Sequence, residues 1–326
     1  METGHNSPNI GRREFMAGTA AAVYLSGCSI GPPLREPSAV SVVRAPKYDQ
    51  TLYATVRRML ADHKLNVRGK RVVLKPNLVE FDANTAINTH PLLVHAVYEA
   101  FLELGAAGVT IAEGPGHRRI TLDLADEAGY FSTIPSFEKA FIDLNLDDVT
   151  RTGLHRPKSK LDSLYLPNTV LGCDLLVSLP KMKTHHWVGA TLSMKNFFGT
   201  VPGGVYGWPK NVLHWAGIDE CIADLFTAFP KSFAIVDGIV GMEGNGPIQG
   251  TPKQAGVLVA GPDLAAVDAT CCRIMGIDPK GIGYLQLAAH RGIDERNIRQ
   301  LGEHPVTVRT DFRLLPNFER LRLVAT

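Results

Sequence analysis

The residues able to do chemistry in this chain collect in a few segments. The densest is KMKTHHWVGATLSMKNFFGTVPGG at residues 181–204, which carries Lys181, Lys183, His185, His186, Lys195 and Asn196. Burying a lysine without a counter-charge is expensive, so inward-facing Lys183 and Lys195 imply a carboxylate or phosphate on a ligand. Four further segments are similarly polar: Lys75-Pro76-Asn77; Glu113-Gly114-Pro115-Gly116-His117; Asp237 followed by Glu243-Gly244-Asn245-Gly246-Pro247; and Pro262-Asp263 with Asp268 just beyond. Lys195, Asp237 and Glu243 are the candidate catalytic residues, the two carboxylates as general base or metal ligand. Lys75, Asn77, Glu113, Lys181, Lys183, Asn196 and Asn245 form the candidate ligand-binding set. His185, with Asp237 or Glu243 beside it, is the candidate metal ligand. Its neighbour His186 should point elsewhere, because adjacent side chains diverge on regular backbone.

Taken singly, each of these residues has a plainer reading. Exposed lysines cost nothing, Asp263 suits a helix N-cap, and the glycines of EGPG and EGNGP suit tight turns. Their joint placement says more. Each group follows an apolar run that reads as a strand: RVVLK at 71–75, VTIAE at 109–113, LLVSLP at 175–180, FAIV at 233–236 and GVLVAG at 256–261. In open α/β sheets the ligand crevice lies outside the carboxyl ends of the strands. Lysines, histidines and carboxylates are thus expected along one sheet edge, as a polar cleft requires.

The elements that would position them alternate. Leu52, Val56, Met59 and Leu60 fall at helical spacing, residues 92–104 read as a helix stopped by Gly105, and residues 264–275 read as another. Strand and helix signals in turn predict an α/β fold, a mostly parallel sheet flanked by helices. Residues 130–170 are less periodic and are expected to form a smaller inserted lobe. GTVPGGVYGWPK at 199–210 reads as a long loop. Folded structure is expected to begin near Tyr48, giving a single domain over residues 48–326 with its core at about 70–290.

Composition excludes several classes. A net charge of +2 with 20% charged and 45% hydrophobic residues is ordinary for a globular protein and gives no basis for nucleic-acid binding. There is no GxGxxG after the first strand, no phosphate-binding GxxxxGK[ST] loop and no GxSxG elbow. Cys173, Cys221, Cys271 and Cys272 lack C-x-x-C spacing, which excludes a ferredoxin module and a thioredoxin motif. They read as small buried apolar residues.

Three strings carry a resemblance: VVLKPNLV from Val72, CDLLVSLPKMKTHHWVGATLSMKNFFGTVPG from Cys173, and VDGIVGMEGNGPIQGTP followed by LAAVDAT. On these, the chain resembles the domain of unknown function 362 family over roughly residues 70–290. Many members also carry a four-iron–four-sulfur ferredoxin segment, which implies redox or anaerobic metabolism; this chain lacks those cysteines, so no iron–sulfur cluster is expected. A fainter similarity is to nickel-dependent lactate racemases, where a glycine-rich segment containing a lysine covalently holds a pincer cofactor. GATLSMKNFFGTVPG, with Lys195, is loosely similar to that segment.

The start of the chain reads as an address. GRREFMAG at residues 11–18 places Arg12 and Arg13 ahead of a short apolar run that ends in Leu25-Ser26-Gly27-Cys28. This order describes a twin-arginine signal over residues 1–27 closed by a lipoprotein cleavage site, with Cys28 as the lipidated residue. Pro32, Pro33, Pro37 and Pro46 then suit a flexible tether over residues 28–47. No later apolar stretch is long enough to span a bilayer, so a lipid is the expected membrane attachment. The expected partners are the twin-arginine translocase and the lipoprotein-processing enzymes. The expected location is the cell envelope or periplasm, on the outer membrane of a two-membrane cell because Ser29 is not a retention residue.

Two functional readings follow. One is an envelope enzyme acting on a small anionic substrate, with a metal or organic cofactor inserted before export. The other is a non-catalytic ligand-binding or assembly lipoprotein, with Trp187, Tyr206, Trp208 and Trp215 as a binding surface. The address is separately testable. Replacing Arg12 and Arg13 with Lys is expected to hold the precursor in the cytoplasm, because an ammonium does not reproduce the planar guanidinium fork. Cell fractionation reads the outcome, and normal export of the double variant would remove the assignment.

Overall fold

The structure, a computed structural model, describes Met1 and residues 36–118, 120–288 and 293–324. Arg12, Arg13 and Cys28, and with them the expected signal and lipidation site, lie outside the described residues. Residues 37–326 form one unit. No described helix is long and apolar enough to cross a membrane.

The chain enters the sheet earlier than expected. β1 (Ser38–Arg44) falls inside the segment read as a tether and hydrogen-bonds into the main sheet, one strand in from its edge, with Val40 and Val42 fully buried. The flanking prolines concealed it, although SAVSVVR alternates as a half-buried strand should. β2 (Arg71–Pro76), β3 (Gly108–Glu113) and β4 (Phe141–Asp143) follow, and β5 (Val149–Gly153) and β6 (Ser163–Pro167) pair only with each other. That antiparallel pair falls within residues 130–170, read as a smaller lobe, whereas β4 from the same stretch joins the main sheet. β7 (Leu175–Leu179) and β8 (Lys181–His185) flank Pro180, β9 (Gly189–Thr191) folds back on β8, and β10 (Ser232–Glu243), β11 (Thr251–Gly261) and β12 (Ile298–Gly302) complete the set.

The main sheet runs β12-β1-β11-β10-β7-β2-β3-β4, with β8 paired to β10 beyond β7. The pairs β1–β12, β10–β7, β10–β8, β7–β2, β2–β3 and β3–β4 are parallel, whereas β11 is antiparallel to both its neighbours. Period-two alternation divides the core between two faces. Val73, Leu176, Ala234, Val236, Val257 and Val259 face the helices Ile218–Ala228 and Leu264–Ile274. Val72, Leu74, Val177, Phe233, Ile235 and Leu258 face the helices Leu52–Asp62 and Pro91–Glu103. The helix boundaries follow local chemistry. His90 caps the second helix by accepting from Leu92 N, with Pro91 in its first turn, and Asp263 accepts from Ala265 N and Ala266 N.

This topology locates the site. From β2 the chain moves outward through β3 to β4, then returns to β7 on the other side of β2 and continues to β10. Strand order reverses between β2 and β7, and loops leaving their carboxyl ends diverge to leave a crevice. The stretch at 199–210 is less irregular than expected, containing short helical turns at Phe197–Thr200 and Gly203–Tyr206.

If β1 is part of the core, Val42→Ala should lower unfolding free energy by about 2 kcal/mol, from lost burial and a residual cavity. Denaturant titration measures it. A tether would make the change silent.

Candidate functional site

A cavity of about 490 Å³ occupies that crevice. Lys75, Asn77, Glu113, Lys183, His185, Lys195, Asn196 and Asn245 all line it, so eight of the residues singled out in the sequence meet here. Lys210 and His214 line it as well, and the sequence reading passed over both as chemistry; His117, which closes the Glu113 segment, joins them.

The floor is a closed polar network. Lys75 and Glu113, each 1% exposed, form an ion pair at 2.7 Å between the ends of β2 and β3. The Lys75 ammonium spends its other donors on Pro76 O at 3.1 Å and Asn196 Oδ1 at 3.2 Å. Glu113 also accepts from Leu78 N and Gly114 N, and Asn196 returns bonds to Lys75 O and Ser178 Oγ. Burial lowers the Lys75 pKa and the adjacent carboxylate opposes that shift. These three residues border the ligand space, but their bonding capacity is already used. Gly199 lies directly against the pair: a Cβ there would sit 2.1 Å from Glu113 Oε1 and 2.4 Å from Lys75 Nζ, so only glycine fits.

Three other lysines have no such answer. Lys183, 1% exposed, donates to Asn77 Oδ1 at 2.7 Å, Ile87 O at 2.9 Å and Pro247 O at 3.2 Å, all neutral acceptors. Burial, reinforced by Lys181 and Lys195, takes its pKa well down. Half-buried Lys195 places its ammonium 3.7 Å from the centre of the Phe198 ring, and burial next to Lys75 pushes it down to about 7. Lys210 donates to Gly114 O and burial likewise pushes it down to about 7. Its backbone is held at φ 65°, a left-handed conformation that costs a non-glycine residue about 1–2 kcal/mol. Among the described residues none of these three makes an ion pair. The one-turn helix Ser193–Asn196, which carries Lys195 and Asn196, is held from below by buried Asp268, which accepts from Ser193 N at 2.8 Å and Met194 N at 3.0 Å. Burial pushes Asp268 up to about 7.

The histidines line the same cavity. Contrary to expectation, His185 and His186 do not diverge: at the end of β8 the backbone turns and the rings stack with centroids 4.8 Å apart. Burial, with Lys195 and Lys183 beside it, takes His185 well below the usual imidazole range. His214 is pushed down to about 4 by burial and Lys195. Among the described residues, no three His, Cys, Asp or Glu side chains gather closely enough to hold a metal ion, which leaves the expected set of His185 with Asp237 or Glu243 unassembled.

The other expected members lie elsewhere. β10 does not stop at Val236 but runs on to Glu243, so Asp237 sits within the strand. Its carboxylate, 0% exposed, accepts from Tyr48 Oη and Lys181 Nζ at 2.7 Å each and from His90 N at 3.0 Å. Lys181 and Asp237 thus form a second buried pair, away from the cavity. Glu243 accepts from Arg313 N and pairs with Lys253 at 3.6 Å, also outside. Neither carboxylate reaches the ligand space. Because β11 is antiparallel, Gly261 pairs with Ala234 near the start of β10. Asp263 and Asp268 therefore follow the wrong end of their strand to join the crevice.

Residues 72–273 match the family model described as Domain of unknown function (DUF362). The chain belongs to this family. It is 28% identical over 270 residues to the thylakoid-associated protein sll1697 of Synechocystis sp., covering 78% of this chain and 80% of that one. Among solved structures it is similar to the lactate racemase apoprotein of Thermoanaerobacterium thermosaccharolyticum, at 12% identity and TM-score 0.48 over 74% of this chain. It is also similar to a Thermotoga maritima protein, at 14% identity and TM-score 0.38 over 70% of this chain. The chain spans 58% and 59% of those two solved chains, and likeness at this level concerns architecture alone. The DUF362 segment carries every cavity residue named above, whereas β1 and β12 lie outside it.

The floor of this DUF362 cavity makes a quantitative claim. Glu113→Gln should cost about 3–5 kcal/mol of stability, because it strands a buried ammonium, while Lys75→Met with Glu113→Leu should recover most of that loss. Chemical denaturation of the single and double variants measures both. A single variant as stable as the parent would mean that the pair is not a buried charge pair.

Proposed function

We propose that the cavity binds a small oxyanion, a carboxylate or phosphate, through Lys183, Lys195 and Lys210. One observation carries this reading: buried Lys183 and Lys210 and half-buried Lys195 converge on one cavity, and none makes an ion pair with a carboxylate among the described residues. An ammonium removed from water seeks negative charge, and the volume of about 490 Å³ lies in the range of small-molecule sites. An anionic organic cofactor loaded before export falls in the same ligand class. The cavity supports binding more directly than catalysis by Asp237 or Glu243, which lie outside it.

The setting proposed for this activity is the cell envelope. Arg12 and Arg13 would be read by the twin-arginine translocase, and lipidation at Cys28 would tie the domain to a membrane. The thylakoid association of the Synechocystis relative is in keeping with a membrane-proximal protein.

Sulfate tests the site because its own charge is constant across the useful pH range. Binding requires protonated lysines, and burial pushes Lys195 and Lys210 down to about 7. Below pH 7 the protons are in place; above it they must be taken up. Apparent sulfate affinity, measured by calorimetry, should therefore fall as pH rises from 7 to 9. Lys195→Ala should weaken binding by about 2–5 kcal/mol at pH 6.5 with much less effect on folding. Affinity that is flat or rising with pH, or an unfolded variant with unchanged affinity per folded molecule, would defeat the reading.

A further inference from the structure

The two stacked histidines hold their protons in opposite ways. The Nδ1 of His185 accepts from the backbone N–H of Trp187 at 3.0 Å and of Val188 at 3.4 Å. A ring nitrogen that accepts N–H groups carries no hydrogen, so in the neutral ring the proton sits on Nε2. The Nδ1 of His186 lies 2.7 Å from the carbonyl oxygen of Gly246. A carbonyl only accepts, so this Nδ1 bears the hydrogen and the Nε2 of the neutral ring keeps its lone pair. Neither Nε2 has a protein partner among the described residues, neither is sealed from open space, and both residues line the cavity.

The backbone enforces this arrangement. His185 ends β8, and the turn into β9 supplies both of the N–H groups it accepts. Gly246 O also receives the His186 N–H at 2.9 Å, and a Cβ on Gly246 would collide with Thr184 O, so glycine lets these two segments approach closely. His185 is only 4% exposed, and Lys183, Lys195, His186 and His214 surround it, so a positive charge on its ring is disfavoured from several sides.

We propose that His185 and His186 act as a hydrogen-bond donor and a hydrogen-bond acceptor toward the bound ligand, so that the ligand of this cavity is an oxyanion bearing a hydroxyl. This rests on the oxyanion reading above. A hydroxyl both takes and gives a hydrogen bond, whereas a carbonyl oxygen could use only His185 and an ammonium only His186. The rings stack 18° from parallel with centroids 4.8 Å apart, so the donor and the acceptor belong to neighbouring rings of one cavity. The lysines supply charge complementarity, and the histidines supply the means to tell a hydroxylated anion from its deoxy analogue.

Long-range ¹H–¹⁵N spectra of the full chain at pH 7.5 read the two rings directly. The expected result is hydrogen on Nε2 of His185 and on Nδ1 of His186. Two pairs of probes follow: ethyl phosphate with 2-hydroxyethyl phosphate, and propionate with 3-hydroxypropionate. The pair that binds more tightly identifies the oxyanion. Its hydroxylated member should bind about tenfold more tightly, the worth of hydrogen bonds lost when polar groups are left unpaired, and should shift both Nε2 signals. His186→Phe should remove that preference, so that each hydroxylated probe binds no more tightly than its deoxy partner. A charged His185, identical tautomers, or binding without preference for the hydroxyl overturns this proposal alone. Failure of all four probes to bind overturns the oxyanion reading along with it.

Discussion

Taking ammonium groups out of water is the constraint around which this fold is arranged. Each buried lysine near the carboxyl ends of the parallel strands must be answered by a carboxylate, by a ring of neutral acceptors, or by a ligand. Lys75 receives the first answer from Glu113, and the rest of the floor follows from it. Asn196 and Gly199 are drawn onto the pair, which brings the following turns over the end of β2. The cavity therefore takes its shape partly from a charge that is already neutralised.

Lys181 and Asp237 repeat the same solution on the far side of β8, where Tyr48 and His90 complete the enclosure. The two pairs make the remaining lysines conspicuous. Lys183 is given carbonyl and amide oxygens only, Lys195 the face of Phe198, and Lys210 a single backbone carbonyl. A neutral acceptor returns less than the lost hydration of a full charge, so these groups release protons readily when the cavity is empty. Lys210 adds a left-handed backbone to that cost, and such expenditure concentrates where a side chain must be presented at one point.

Much of this was legible in the residues because the strand signals were strong. RVVLK, VTIAE and LLVSLP are short apolar runs whose ends are fixed by lysine, glutamate and proline, and the chemistry sits just after them. Three features were hidden for separate reasons. FAIV looked finished at Asp237 because the glycines after it mimic a turn, yet the strand continues past them. GVLVAG gives no sign of its direction, since a buried antiparallel strand has the same composition as a parallel one. Lys210 lies in a stretch of glycine, proline and aromatics that resembles an unstructured connection, and only tertiary packing turns it inward. The opposite settings of His185 and His186 depend on which backbone groups face each ring, which spacing along the chain does not encode.

The position of β1 governs the order in which the sheet can be completed. It lies between β11 and β12, with Val42 facing Val259 on one side and Gly302 on the other. A chain emerging from the ribosome has made β1 long before either partner exists, and it can assemble β2, β3, β7 and β10 while that strand waits. Contacts of such sequence separation form late and slowly. Until β1 docks, β11 presents an open edge with unpaired N–H and C=O groups, a template for association with other chains. The first strand of the fold thus waits for β11, and β12 in turn waits for it, so the interval before β1 docks is when an unfinished molecule is most exposed to aggregation.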